Sequence, residues 1–182
     1  GDGDVTAADR WLSEHPSLVS DDAAFWTEGL LAGPANAGDH AMLEMLIRHG
    51  ARVPNVTKWG RFYYFKHTDT AAFLLQHGMD PNHMNWHYTT LLHHVASDGD
   101  IPKARLLLDH GATIDAIDEE YRSTPLGMAA RWGRKDMVDF LLERGADLNI
   151  AGDPWATPLA WARKKGHPDV ESVLNRASDL TP

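Results

Sequence analysis

Short apolar groups recur along the second half of the chain at a nearly constant interval. Three segments, 90–96, 124–130 and 157–162, each begin with Thr-x-Leu and end on Ala, so the interval is set by Thr90, Thr124 and Thr157. A glycine follows nine residues after each Thr, and in the first two copies a second glycine comes twelve residues later, shortly after a pair of leucines. An internal period of this length predicts stacked helix-turn-helix units, each too small to bury its own apolar face.

The residues at fixed places in this period are those that begin and end helices. The threonines suit N-cap positions, where a hydroxyl accepts a hydrogen bond from the first turn. Pro125 and Pro158 follow at the first helical position, which needs no backbone donor. Gly111 and Gly145 can take the positive φ that ends a second helix, and the alanines let neighbouring helices approach closely. The pattern therefore predicts two short helices in each unit.

Together these segments resemble the ankyrin repeat, whose motifs Thr-Pro-Leu-His, Ala-Ala, Gly and Leu-Leu-x-x-Gly-Ala are matched here in full or in part at the same spacing. The resemblance implies an all-α solenoid of stacked helix-turn-helix units joined by short β-hairpin or turn connections. It also implies that His93, at the place of the motif histidine, bonds the backbone of the neighbouring hairpin. In this family the hairpin tips and inner helices form a concave groove that contacts the partner, and we expect the same use here.

Towards the N-terminus the pattern continues with less fidelity. The group 74–78 lies one full period before Gly111, but the group 46–51 lies less than a full period before 74–78, which predicts a connecting hairpin about five residues short. The partner helix is expected within 57–66, where the aromatic run Phe62–Phe65 replaces the small residues of the other units. We interpret these rings as filling the space that the short hairpin leaves; a small-ligand pocket is the alternative.

The first fifty residues give weaker signals. Residues 25–37 are expected to hold a first helix that Gly33-Pro34 cuts short, and residues 3–12 a second helix that ends at His15-Pro16, because proline cannot continue a helix. We predict one ankyrin repeat domain, 1–182, of about five and a half units. Its predicted parts are a half-repeat 1–20, degenerate repeats 21–55 and 56–84, repeats 85–117 and 118–151, and a C-terminal capping repeat 152–182.

Positions outside the repeat framework are rich in aromatic and charged residues. Exposed rings with interleaved Arg are typical of binding hot spots rather than of a solvated face. We therefore predict a partner-binding groove for another protein or peptide; the alternative is that the rings pack on adjacent hairpins and stiffen the stack. The predicted partner-binding residues are Trp86, His87, Tyr88, Glu120, Tyr121, Arg122, Arg131, Trp132, Trp155, Lys164 and Lys165.

Composition and charge narrow the range of partners. The formal net charge is −9 and the chain has no basic stripe, so we expect it to bind neither nucleic acid nor a membrane surface. No apolar run is long enough to span a bilayer. The chain has no cysteine, which excludes disulfides and thiolate metal sites and fits a reducing compartment. We expect a soluble, cytoplasmic monomer.

Two groups of polar residues suggest other functions. Four histidines lie within residues 83–94, but no i,i+4 pair on one helix would aim two ligands at a metal. Glu119 and Glu120, one repeat away from His87, could form an acid–base pair, yet no phosphate loop, nucleophile elbow or His-Glu-x-x-His motif accompanies them. We therefore assign no catalytic, cofactor or metal residues. An enzyme or small-molecule binder, and a structural spacer within a longer protein, stay as alternatives.

Overall fold

The computed structural model describes residues 2–19 and 28–180, which form helices joined by loops. The chain has two compact units, Gly1–Trp86 and His87–Pro182. The elements of the first unit are α1 (Asp2–Glu14), a 3₁₀ turn (Pro16–Val19), α2 (Ala32–Ala37), α3 (His40–Arg48), β1 (Val56–Thr57), α4 (Gly60–Tyr63), α5 (Thr68–Gln76) and β2 (Met84–Asn85). Those of the second unit are α6 (Leu91–Asp98), α7 (Ile101–Asp109), α8 (Pro125–Arg131), α9 (Lys135–Glu143), a 3₁₀ turn (Pro154–Ala156), α10 (Pro158–Lys165) and α11 (Pro168–Leu180).

In the second unit, local capping chemistry sets where each helix begins. The Thr124 hydroxyl accepts a hydrogen bond from the Gly127 N–H at 3.2 Å, and Thr157 caps α10 in the same way. Helix α7 uses an acid instead, Asp100, whereas α9 begins after Arg134 without a side-chain cap. Caps of this kind contribute about 1 kcal/mol each. The predicted helix starts at these threonines are confirmed.

Small side chains allow the inner helices of the second unit to pack against each other. Helix α8 contacts α6 on one side and α10 on the other. The side chains Ala96, Ala130 and Ala162, one from each helix, are completely buried. Outside this layer, Gly111 has φ of +91°, a conformation that a residue with a Cβ atom rarely adopts, and it ends α7 as predicted.

Two successive junctions in the second unit are held by different side chains. His93 donates from Nε2 to the Ser123 carbonyl oxygen at 3.1 Å, as the motif histidine is expected to do. At the next junction the histidine position is Gly127, and the Ser123 hydroxyl donates instead to the Ala156 carbonyl oxygen at 2.9 Å. A Cβ atom added at Gly127 would collide with the Ser123 hydroxyl. The serine hydroxyl therefore occupies the space next to the glycine.

The first unit is shortened in two places. The loop before α4 covers only residues 49–59, whereas the corresponding loops of the second unit are longer and cover 110–124 and 144–157. Helix α5 also begins eight residues after the start of α4, against ten for each helix pair of the second unit. The prediction that a short hairpin alone accounts for the missing residues is wrong, because the shortfall is divided between the loop and the helix pair.

Helix boundaries in the first unit agree with the sequence in part. Helix α1 ends at Glu14, before His15-Pro16, and α4 lies within 57–66, as predicted. The prediction that Gly33-Pro34 cuts a helix short is wrong: α2 begins at Ala32, so Pro34 stands in the first turn, where backbone N–H groups have no partner within the helix. Part of the range expected for this helix, 25–27, lies outside the described residues.

The aromatic run Phe62–Phe65, which begins in α4, points both inward and outward. Tyr64 and Phe65 are buried, whereas Phe62 is 53% exposed. The Tyr64 hydroxyl donates to the Glu28 carbonyl oxygen, and the Tyr64 ring meets His83 edge to face at 5.9 Å. His83 in turn lies 2.8 Å from the Thr57 hydroxyl. Two rings of the run therefore fill the interior of this unit, in agreement with the space-filling interpretation.

A carboxylate and a strand pair complete this interior. One Glu28 carboxylate oxygen accepts hydrogen bonds from the N–H groups of Lys58 and Trp59, at 3.0 and 2.8 Å, directly before α4. Successive loops also pair as two-residue parallel strands, with Val56 opposite Met84. The short helix α4 is thus held by contacts from residues distant in sequence.

Candidate functional site

An arginine at the end of α8 is enclosed by aromatic rings. The Arg131 guanidinium carbon lies 4.5 Å from the ring centroid of Tyr121, in the loop before α8, and 4.3 Å from that of Trp161, in α10. The ring of Trp132 lies 5.8 Å away. A cation within about 6 Å of an aromatic face is attracted by the ring quadrupole. These rings therefore favour one position of the guanidinium.

A second cation lies beside the same buried indole. Lys164 Nζ is 5.0 Å from the ring centroid of Trp161 and 5.9 Å from that of Trp155. The two indoles meet edge to face at 5.8 Å, and Tyr121 meets Trp161 at 6.5 Å. These edge-to-face arrangements are the ones that aromatic quadrupoles favour. We call Tyr121, Arg131, Trp132, Trp155, Trp161 and Lys164 the Arg131 cluster.

The cluster combines buried and exposed rings. Trp161 is only 3% exposed, whereas Trp132 and Trp155 are 52% and 48% exposed. The buried indole supports the cations, and the other two present apolar surface to solvent. Because large exposed rings beside an arginine are typical of interface hot spots, this arrangement is suited to contact with another molecule.

Two buried donors of the cluster have no hydrogen-bond acceptor within the part of the chain that the structure describes. They are Arg131 Nε and Trp161 Nε1. Arginine and tryptophan side chains carry donors and no acceptor, so neither group can satisfy the other. A buried polar group left without a partner costs about 1–3 kcal/mol. The cluster is therefore rich in positive charge and in donors.

Backbone hydrogen bonds fix the loop that carries Tyr121. The buried Asp118 carboxylate accepts from the N–H groups of Tyr121 and Ser123, at 2.9 and 3.0 Å. A hydrogen bond to Glu120 raises the pKa of Tyr121, with a further contribution from burial. The phenol is accordingly protonated at neutral pH and donates to the Glu120 carboxylate. Both ends of this side chain are thus held before any ligand arrives.

The residues of the cluster lie in two successive loops and at the ends of the inner helices that follow them. A family model described as ankyrin repeats in three copies matches residues 60–152. The chain belongs to the ankyrin repeat family. Ankyrin repeat domains generally mediate protein–protein interaction, and the predicted fold of stacked helix pairs is confirmed.

Several curated ankyrin proteins are similar to this chain. Cyclin-dependent kinase 4 inhibitor B from Homo sapiens is 35% identical over 106 residues, which cover 58% of this chain and 75% of that protein. Ankyrin repeat protein nuc-2 from Neurospora crassa is 29% identical over 152 residues, 80% of this chain, and diacylglycerol kinase iota from Homo sapiens is 27% identical over 147 residues, also 80%. The chain spans only 12% of the length of each of these last two relatives.

The structure brings together five of the predicted partner-binding residues of this ankyrin domain. They are Tyr121, Arg131, Trp132, Trp155 and Lys164. The packing alternative describes Tyr121 and Trp155, which both pack on Trp161, although Trp155 is also half exposed. That these residues contact a partner stays a prediction.

The remaining predicted residues are not members of the Arg131 cluster, although Glu120 contacts it through Tyr121. Arg122 pairs with Asp153 at 3.1 Å, and Glu120 bonds Tyr121. The His87 carbonyl oxygen accepts from the Glu119 N–H at 3.3 Å. Tyr88 and Lys165 are exposed, and Trp86 belongs to the first unit, where it is half exposed. Glu119 and His87, which the sequence suggested as an acid–base pair, are thus joined by a backbone hydrogen bond.

Sequence reasoning missed Trp161, the residue at the centre of the cluster. It stands between two alanines of an inner helix, a place that belongs to the repeat framework. The signal was its size, since the equivalent residues of α6 and α8 are His94 and Met128. A tryptophan at this place extends towards the preceding repeat and meets Arg131 there.

Two of the four histidines of the region 83–94, His83 and His93, are buried within their units. His93 is buried between the Thr90 hydroxyl and the Ser123 carbonyl, and burial lowers its pKa. His83 belongs to the first unit, where burial lowers its pKa to about 4. No group of three or more His, Asp or Glu side chains in residues 2–19 and 28–180 could hold a metal ion. Over the same residues, every helix is too short or too polar to cross a bilayer.

Proposed function

We propose that the chain is a protein-interaction module that binds a segment of a partner protein at the Arg131 cluster. The observation that carries the proposal is the half exposure of Trp132 and Trp155 beside the buried Trp161. Tryptophan and arginine dominate the binding energy of known interfaces. Contiguous exposed apolar surface is likewise typical of interaction sites.

The internal packing of the cluster supports this use. Tyr121 and Trp155 are held against Trp161, and the loop of Tyr121 is fixed by Asp118. Side chains that are already ordered lose little conformational entropy on binding, so more of the contact energy appears as affinity. A stiff aromatic cluster is thus a better anchor for a partner than a set of mobile surface rings.

Family membership supports a protein as the partner. Interaction with other proteins is the general role of ankyrin repeat domains. The name of the human relative at 35% identity, cyclin-dependent kinase 4 inhibitor B, describes action on another protein. We extend to this chain only the class of partner, a polypeptide.

A selection experiment with matched variants tests the proposal. A displayed random peptide library is selected on the wild-type chain, on Trp132→Ala/Trp155→Ala, and on the control Trp11→Ala, which removes a 52% exposed indole from α1. The wild type and the control should enrich a common set of peptides, and the double variant should bind these peptides at least about 30-fold more weakly. Equal binding by all three chains contradicts the proposal. Circular dichroism melts check that the variants fold.

A further inference from the structure

Several cations of the second unit are each neutralised by a carboxylate at 2.6–3.1 Å. These ion pairs are Lys103–Asp100, Arg122–Asp153, Lys135–Asp139, Arg144–Asp109 and Arg163–Glu171. Arg131 and Lys164 differ, because their side chains contact aromatic rings, and no ion pair or hydrogen bond joins these side chains to another of the described residues. The Arg131 cluster therefore keeps its positive charge.

The same contacts exclude one class of ligand. An open set of aromatic rings can bind a cation such as an alkylated amine. Here Arg131 lies against Tyr121 and Trp161, and Lys164 against Trp155 and Trp161, so these rings already hold cations of the chain itself. A cationic ligand would meet like charge. The cluster is suited to an anion.

The hydrogen-bonding inventory supports the same class. Trp161 is only 3% exposed, and its indole N–H has no acceptor among the described residues; the neighbouring Arg131 Nε also has none there. Both side chains can only donate. The terminal amino groups of a guanidinium form a planar fork that matches the two oxygens of a carboxylate. A carboxylate that accepts from these terminal amino groups of Arg131 thus supplies the negative charge that the cluster lacks.

Neighbouring acids restrict which anion fits. Glu119 and Glu120 are exposed on the loop that carries Tyr121. A polyanion such as a nucleic acid would be repelled by these carboxylates, while a single acidic side chain can approach the half-buried Arg131 next to the exposed ring of Trp132. Apolar residues beside that acid would cover the exposed rings of Trp132 and Trp155 and exclude water from the ion pair.

We propose that Arg131 binds the carboxylate of one Asp or Glu in an extended partner segment, with apolar residues beside that acid packed on Trp132 and Trp155. The proposal rests on the proposed function of the same cluster and names the chemistry of its partner. Because the rings already favour one guanidinium position, the pair forms with little loss of side-chain entropy. Partial exclusion of water strengthens the charge-assisted hydrogen bonds.

The test uses peptides selected on the full wild-type chain. Enriched sequences should share an acidic residue next to apolar ones. Replacing that Asp or Glu by Asn or Gln in a synthetic peptide should weaken binding by roughly 10- to 100-fold, as expected for a hydrogen bond to a charged group. This comparison alters the peptide alone, so it does not depend on the folding of a variant. Raising NaCl from about 50 mM to about 500 mM should weaken the acidic peptide more than its amide form.

Variants of the chain locate the pair. Arg131→Gln should weaken the acidic peptide by roughly 10- to 100-fold and leave the amide peptide nearly unaffected, and Arg131→Lys should recover only part of the loss. Arg163→Gln is the matched control, because Arg163 is also near a helix end but pairs with Glu171 at 2.8 Å outside the cluster. It should bind as the wild type does.

The outcomes separate the two proposals. Peptides without an acidic residue, lysine-rich peptides, or equal binding by wild type and Arg131→Gln would overturn the carboxylate inference. If Trp132→Ala/Trp155→Ala still abolishes binding in that case, the interaction function stands. If no peptide is enriched, or if the double variant binds normally, both proposals fail together.

Discussion

The two compact units solve the same packing problem with different side chains. In the second unit the inner helices approach through alanines such as Ala130, and short hydrogen bonds from His93 and Ser123 reach the next loop. In the first unit the equivalent helix α4 is a single turn, and Tyr64 fills the interior while its hydroxyl reaches Glu28. In both units these hydrogen bonds join side chains to backbone groups that lie about one repeat away in sequence. The repeat thus preserves a pattern of contacts more strictly than the residues that make it.

The largest expected effect comes from removing the ring of Tyr64, which belongs to the aromatic run that replaces the small residues of the other units. Tyr64→Ala should lower the free energy of unfolding by about 3–5 kcal/mol, because it leaves a cavity and an unpaired carbonyl. Tyr64→Phe should cost only about 1 kcal/mol, since it removes the hydrogen bond alone. Urea unfolding monitored by circular dichroism measures both. Phe62→Ala is the control, and a loss there as large as for Tyr64 would contradict the inward role assigned to Tyr64.

A smaller effect is expected in the pH dependence of stability, and it comes from His83 of the first unit. Burial holds the folded-state pKa of His83 at about 4, below its ordinary value of 6.5. The unfolded chain therefore binds more protons between these values, so the contribution of His83 is present above pH 6.5 and is lost as the pH falls towards 4. Between pH 7.5 and 4.5 the free energy of unfolding of the wild type should fall by about 2–3 kcal/mol more than that of His83→Gln, as urea unfolding at each pH would measure.

The control for this measurement is His77→Gln, which changes an exposed histidine at the end of α5. Its pH dependence should follow that of the wild type. Parallel curves of unfolding free energy against pH for the wild type and His83→Gln would show that folding does not make the His83 imidazole harder to protonate.

The smallest effect tests the junction of the second unit at which a serine hydroxyl, and not a histidine ring, makes the hydrogen bond to the next repeat. Gly127→Ala should cost about 1–3 kcal/mol through overlap with the Ser123 hydroxyl. Ser123→Ala should cost about 1 kcal/mol through loss of its hydrogen bond to Ala156. The double variant should cost less than the sum, because the hydroxyl that causes the overlap is gone. Gly33→Ala, whose Cβ meets nothing within 4 Å, is the control and should cause no loss of stability, and strict additivity of the changes at residues 127 and 123 would disprove the coupling.

Sequence predicted those parts of the fold that depend on local chemistry. A cap such as Thr124 acts on a backbone group three residues away, and a glycine such as Gly111 ends a helix through its own φ. Such signals are repeated in each unit, so a period could be recognised from them. The error at Gly33-Pro34 has the same origin: proline breaks a helix interior but is tolerated in the first turn, and nothing nearby marked where α2 begins.

The candidate site was predictable only in part, because its geometry depends on contacts between repeats. Aromatic and basic residues at loop tips and helix ends could be selected by composition. Their arrangement in space could not be predicted. Arg131 lies between Tyr121, which precedes it closely in the chain, and Trp161, which belongs to the next repeat. Neither the burial of Trp161 nor its unpaired N–H follows from the sequence, since both depend on how closely α8 and α10 pack.

The junction at Ser123 has a consequence for engineering this family member towards an average repeat. A designer who restores the usual histidine at residue 127 would direct a ring into the region that the serine hydroxyl occupies. The exchange would therefore be unfavourable until residue 123 is changed with it. Repeats that share the same fold are thus not interchangeable, and a library that varies one position at a time would not sample the paired change at residues 123 and 127.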